Sequence, residues 1–119
     1  MTTDWNEPEN FYYSPEKSGF EIVGSVDVAD TYEFDILLVL KDKSGHLFWC
    51  HDSGCSCPVP FESTTINDLH PITRENLKEF EAVAQKHKPY AYSWDQNISD
   101  QIAWNDDSLA LFSKVFELI

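Results

Sequence analysis

Positive charge is what this chain has least of. Eight Lys and Arg stand against 21 Asp and Glu, a formal net charge of −13 over 119 residues. A surface of that sign repels phosphate backbones and anionic headgroups, so direct nucleic-acid or membrane binding is not expected. Long apolar runs are missing as well. The longest, Ile36 to Leu40, falls far short of the about 20 residues that cross a bilayer. The opening MTTDWNEPEN has neither the basic start nor the apolar stretch of a secretory signal, which points to the cytoplasm. Cysteine is scarce and odd in number, at three. In a reducing compartment thiols stay free, so no structural disulfide is expected.

Aromatic core material, by contrast, is plentiful: four Trp, five Tyr and eight Phe. A chain of this length is expected to fold as one domain, residues 1–119, without a metal or a cross-link. The acidity is concentrated at the front. Met1 to Asp35 carries nine carboxylates (Asp4, Glu7, Glu9, Glu16, Glu21, Asp27, Asp30, Glu33, Asp35) and one base, Lys17. Residues 1–19 show no period. With Trp5, Phe11, Tyr12 and Tyr13 they are too aromatic for a disordered tail and should drape over the domain.

Periodicity supplies the rest of the architecture. Phe20 to Val26 alternates, with Phe20, Ile22, Gly24 and Val26 expected on one face. Glu33 to Leu40 turns from alternating to apolar on both sides, as a central strand covered twice would. Lys41 to His46 is a hairpin turn in which Gly45 supplies a positive φ, and Leu47 to His51 returns as a third strand. The proline-rich stretch from Asp52 to Pro71 reads as a loop. Thr73 to His87 is a helix with Thr73 as cap, a stripe of Leu77, Phe80, Val83 and Ala84, and Pro89 beyond its end. Tyr90 to Asn105 fits either a strand or a short helix. Asp106 to Ile119 is a second helix, capped by Asp107 or Ser108, with Leu109, Phe112, Val115, Phe116 and Ile119 as its stripe. The expected fold is α+β: a three-strand antiparallel meander with two helices packed on one face.

The least ordinary stretch is HDSGCSCPVPFE, His51 to Glu62. Cys50, Cys55 and Cys57, with His51 or His70, offer the ligand types of structural zinc. One residue between Cys55 and Cys57 is tighter than the usual two to four, and no second pair follows, so no metal ligand and no cofactor is assigned. A cysteine nucleophile would need a base such as His51, His70 or His87, but the carboxylates of Asp52 and Glu62 raise a thiol pKa rather than lower it. A Cys-Ser-Cys redox pair would close a strained ring. The reading that needs least is structural. Cys50 is a small core residue, Asp52, Ser53 and Gly54 make a turn, Pro58 and Pro60 stiffen the exit, and Phe61 plugs the core.

The run Asp52, Ser53, Gly54, Cys55, Ser56, Cys57, Pro58, Pro60, Phe61 and Glu62, with NFYYSPEK ahead of it, resembles a family of small uncharacterised proteins encoded by phages of actinobacteria. The resemblance covers roughly the first half of the chain. It implies a setting, the bacterial cytoplasm during infection, and assigns no activity and no catalytic or metal residue. The expected function is that of a non-enzymatic protein that binds a host or phage protein, through the acidic, aromatic first third and the Asp52–Glu62 loop. The alternatives are a zinc or thiol enzyme built on Cys50, Cys55 and Cys57, and an acidic mimic of nucleic acid that inhibits a DNA-binding protein.

Overall fold

The structure is a computed structural model that describes residues 10–29, 33–55, 59–87 and 105–119, the Cys55 side chain excepted. Four antiparallel strands, β1 (Phe20–Asp27), β2 (Glu33–Asp42), β3 (Leu47–Cys55) and β4 (His70–Ile72), lie side by side in chain order. Two helices follow, α1 (Leu77–Lys86) and α2 (Asp106–Leu118). The fold is the expected α+β arrangement with one more strand than the meander anticipated. The extra strand hides at the end of the proline-rich loop. It has three residues, and Pro71 sits in it opposite Phe48. A proline has no N–H to give and is tolerated only where the sheet ends.

β2 is the centre of the molecule. Leu37, Leu38, Val39 and Leu40 are all fully buried, because each face of the sheet has its own cover. On one face Leu37 and Val39 meet Leu47, Ile72 and the helices, through Phe80 and Ala84 of α1 and Leu111 and Val115 of α2. On the other face Phe34, Ile36, Leu38 and Leu40 meet Cys50, Phe61 and Leu69, together with Phe11 from the N-terminal segment. The hairpin between β2 and β3 turns at Gly45, whose φ is +88°, as its place in KDKSGH requires.

Two expectations about side-chain direction are corrected. In β1 the alternation does not run through. Ile22 pairs with Leu40 but Gly24 pairs with Val39, so Val23 is an inserted, unpaired residue. This bulge reverses the parity of the strand. Phe20 and Ile22 face Phe11, whereas Val23, Val26 and Val28 face the helices. Gly24 lies directly beneath α2: a methyl group built on it would come within 2.7 Å of Leu111 Cδ1. Lys114 Nζ donates to the carbonyl of the bulged Val23 at 2.7 Å. The bulge therefore seats α2 twice, once by a close approach and once by a hydrogen bond.

α2 itself is rotated from its expected orientation. Ser108, Leu111 and Val115 are the buried row, Phe112 and Ile119 are half-buried, and Leu109 and Phe116 face outward. Ser108 is no cap. Its hydroxyl donates inward to the His87 carbonyl at 2.9 Å, and the residue preceding the helix is Asn105. α1 begins later than expected. Residues 74–76 form a turn, across which Thr73 and Asn76 exchange hydrogen bonds: Asn76 Oδ1 accepts from the Thr73 N–H, and Thr73 Oγ1 accepts from the Asn76 N–H. The segment 90–104, left open between strand and helix, lies outside the described residues, as do 1–9 with Trp5.

Phe80 is a core anchor and Lys78 is exposed on the same helix. Phe80→Ala should therefore cost about 3–5 kcal/mol and Lys78→Ala less than about half a kcal/mol in denaturant melts. Gly24→Ala should cost roughly 1–3 kcal/mol by pushing Leu111 away. A Gly24→Ala chain as stable as the parent would mean that α2 does not rest on β1.

Candidate functional site

The pleat of β3 decides which of the singled-out residues can work together. Trp49 and His51 point to the helix face, while Phe48, Cys50 and Asp52 point to the face under the N-terminal segment. Cys50 and His51 are sequence neighbours on opposite sides of the sheet. Cys50 is buried, and burial first, then the nearby Asp52 and Asp68 carboxylates, pushes its thiol up to about 12. A thiol held protonated and covered is neither a nucleophile nor a ready metal ligand. His70 is exposed on β4 and stacks on Trp49, with ring centroids 4.3 Å apart. The Cys55 side chain, Ser56, Cys57 and Pro58 lie outside the described residues.

The turn expected at Asp52, Ser53 and Gly54 is instead the end of β3, paired with Ile36, Asp35 and Phe34, and the described ends of the motif are architectural. Asp52 Oδ2 accepts from the Phe61 N–H at 2.8 Å and Oδ1 accepts from the Ser53 N–H at 3.0 Å. Phe61 is fully buried and sits at φ +64°, a left-handed conformation unusual for a bulky residue. The Asp52 carboxylate and the core contact of the ring hold it there. On the N-terminal side Asn10 is buried and does the matching work. Its Oδ1 accepts from the Tyr12 and Tyr13 N–H groups, and its Nδ2 donates to the Pro60 carbonyl at 2.9 Å. Gly54 pairs with Phe34 in the sheet, and Glu62 is exposed. Phe61 plugs the core as expected, and Phe11 and Phe20 are core as well, so these three rings are not part of the exposed surface of the first third and the Asp52–Glu62 loop. Tyr13 alone among the described N-terminal aromatics is largely exposed.

The polar cluster that does form lies on the helix face, where the sheet extends past the apolar contacts. Asp35 near the start of β2, His51 in β3 and His87 at the C-terminus of α1 converge there. His51 Nε2 and Asp35 Oδ1 are 2.5 Å apart, and His87 Nδ1 is 3.7 Å from the same oxygen. The two imidazoles stand edge to face with centroids 5.7 Å apart. His87 is held from three sides. Its N–H donates to the Ala84 carbonyl, its carbonyl accepts from Ser108, and its Nε2 lies 2.8 Å from the Val26 carbonyl. Asp35, His51 and His87 share an open pocket with Trp49, Val83 and Lys86.

Sequence reasoning named His51 as a zinc ligand beside the cysteines and His51 and His87 as bases for a cysteine, and it counted Asp35 among the acids of the first third. One signal was readable: Asp35 is a charge placed beside five consecutive apolar residues in the central strand. The burial of His87 was not readable, because it sits between Lys86 and Lys88 in what looks like a solvated helix end.

A family model described as a domain of unknown function (DUF7574) matches residues 9–107. No curated protein and no solved structure matches the chain. The matched span contains Asp35, His51 and His87 and stops just inside α2.

With Cys55 and Cys57 replaced by serine, Cys50 should react with a thiol reagent at pH 8 only as fast as the protein unfolds. Prompt labelling of the folded chain would place Cys50 at the surface. The raised thiol also sets a pH dependence. The unfolded thiol ionises near its ordinary 9.0 and the folded one near about 12, so stability present below about pH 9 should fall between those values. Cys50→Ala should flatten that alkaline decline in melts run from pH 8 to 11. Asp52→Ala, which leaves the Phe61 N–H without its acceptor, should cost about 1–3 kcal/mol in the same assay.

Proposed function

We propose that the chain, which belongs to the DUF7574 family, is a non-enzymatic protein that binds another protein through the outer side of α2. One observation carries this reading. A ladder of phenylalanines climbs from the core to the surface: Phe80 buried, Phe112 half-buried with its ring centroid 6.2 Å away, and Phe116 a further 6.3 Å out and 62% exposed. Leu109 and Leu118 are exposed on the same helix. An exposed aromatic backed by packed rings loses little freedom on binding, and such residues dominate interface energetics.

The charges around this row specify the occupant. Asp106, Asp107 and Glu117 of α2 are all exposed, and its single base, Lys114, donates to the Val23 carbonyl. With a chain charge of −13, the complementary surface is a basic protein face with an apolar pocket for Phe116. The resemblance of the Asp52–Glu62 run supports a phage setting, with the partner a host or phage protein in the bacterial cytoplasm. Among the described residues no helix is long and apolar enough to cross a membrane, which agrees with a partner met away from the bilayer. The net charge favours a protein partner over direct contact with nucleic acid.

A photo-crosslinker at position 116, with one at Ile66 as an exposed control far along the sequence, tests the face. Expected is one dominant basic protein captured from position 116 and not from 66. Capture should weaken as salt rises and disappear on Leu109→Ser, a change that leaves the crosslinker in place. Equal capture from both positions, or capture indifferent to Leu109→Ser, would sink the proposal.

A further inference from the structure

The three polar residues on the helix face have a geometry that the protein-binding reading does not use. We propose that Asp35, His51 and His87 form a binding site for a divalent first-row transition metal ion of the zinc type, with the remaining coordination positions open to the pocket beside Trp49 and Lys86.

His87 carries most of the argument. Its side chain is 5% exposed. The Val26 carbonyl 2.8 Å from Nε2 can only accept, so Nε2 must hold a proton and donate it. In the neutral ring this leaves the lone pair on Nδ1, and Nδ1 is the atom aimed at Asp35 Oδ1. Metal-bound histidines are oriented in this way: the far ring nitrogen donates to a backbone carbonyl, which fixes the tautomer and turns the near nitrogen to the ion. The backbone at His87 is pinned as well, through Ala84 and Ser108, so the ring is preset.

The other two ligands stand at suitable range. One ligand atom from each of Asp35, His51 and His87 lies within 4.8 Å of the other two. Bonds of roughly 2.0–2.1 Å in a tetrahedral shell separate ligand atoms by about 3.3 Å. The distances of 2.5 Å for His51 to Asp35 and 3.7 Å for His87 to Asp35 fall on either side of that value. Metal entry opens the first pair and closes the second by less than about 1 Å. His51 must give up the hydrogen bond that Nε2 donates to Asp35 and take the tautomer protonated on Nδ1. Its half-exposed position leaves room for that change. Two imidazoles and one carboxylate suit zinc and its divalent first-row neighbours, whereas magnesium and calcium prefer oxygen donors throughout. Three protein ligands leave at least one position vacant, and the pocket of about 360 Å³ lined by Trp49, Val83 and Lys86 adjoins them.

The rival account is an ordinary hydrogen-bonded cluster in which both histidines share a carboxylate. Calorimetric titration of the full chain with zinc chloride, with cobalt(II) absorption as the spectroscopic arm, separates the two. Expected is one zinc per chain, with affinity reduced roughly tenfold or more by His51→Gln, Asp35→Asn or His87→Gln. Cobalt(II) should give visible bands of nitrogen and oxygen coordination without a thiolate charge-transfer band. His87 also supports the fold. If His87→Gln fails to fold, the half-exposed His51 and Asp35 decide the outcome by themselves. No heat of zinc binding, binding unchanged in the His51 and Asp35 variants, or a thiolate band that places the ion in the cysteine loop would each overturn the proposal. None of these readouts involves Phe116, so the site and the protein-binding face succeed or fail separately.

Discussion

Five consecutive apolar side chains in the middle of a strand cannot be hidden by one layer. Alternation sends Ile36, Leu38 and Leu40 to one face of β2 and Leu37 and Val39 to the other, and both sets are buried. Two helices cover the second set. The first is covered by chain with little regular structure, the segment around Phe11 and the loop that ends in Phe61 and Leu69. Irregular backbone over a core must satisfy its polar groups locally. That is why Asn10 and Asp52, two short polar side chains, bind so many main-chain groups: Asn10 holds three and Asp52 two. The motif that looked like chemistry in the sequence is, in its described part, the fastening of this cover.

The helix layer has the opposite character. It is regular, and its polar exceptions gather where α1 ends, α2 begins and the sheet runs on. His87, Ser108, Asp35 and His51 meet there because β2 and β3 are longer than the contacts the helices make with them. A buried imidazole at such a junction is costly unless its nitrogens find partners. One nitrogen has the Val26 carbonyl, and the other faces a carboxylate beyond hydrogen-bond range. The same junction orients α2 through Ser108, and so fixes which of its aromatics turn outward.

What the sequence made legible was whatever depends on short-range pattern. The double burial of β2, the turn at Gly45, the stripe on α1 with Phe80 as anchor and the plug at Phe61 all follow from residue types at local spacing. What it hid depends on contacts between distant residues. The bulge at Val23 leaves no compositional trace, since Val and Gly are equally consistent with unbroken alternation. The rotation of α2 is set by a serine bonded to a carbonyl 21 residues earlier, and Ser108 reads locally as a cap. β4 was obscured by its proline. The Asp35 cluster draws on three elements 16 to 52 residues apart in the chain, with residue types that are ordinary one by one.

The margins of the sheet carry one more consequence. Many small domains recruit partners by letting an extended peptide line up against an outer strand and continue the ladder. Neither margin here invites that. On one side β4 is three residues long and carries Pro71, which has no N–H to offer. On the other, the ladder of β1 is interrupted at Val23, and the carbonyl of that residue is already taken by Lys114. An incoming strand would find neither a long nor a regular row of donors and acceptors on which to template itself. The described sheet is closed to growth, which also guards a β-rich chain against edge-to-edge aggregation.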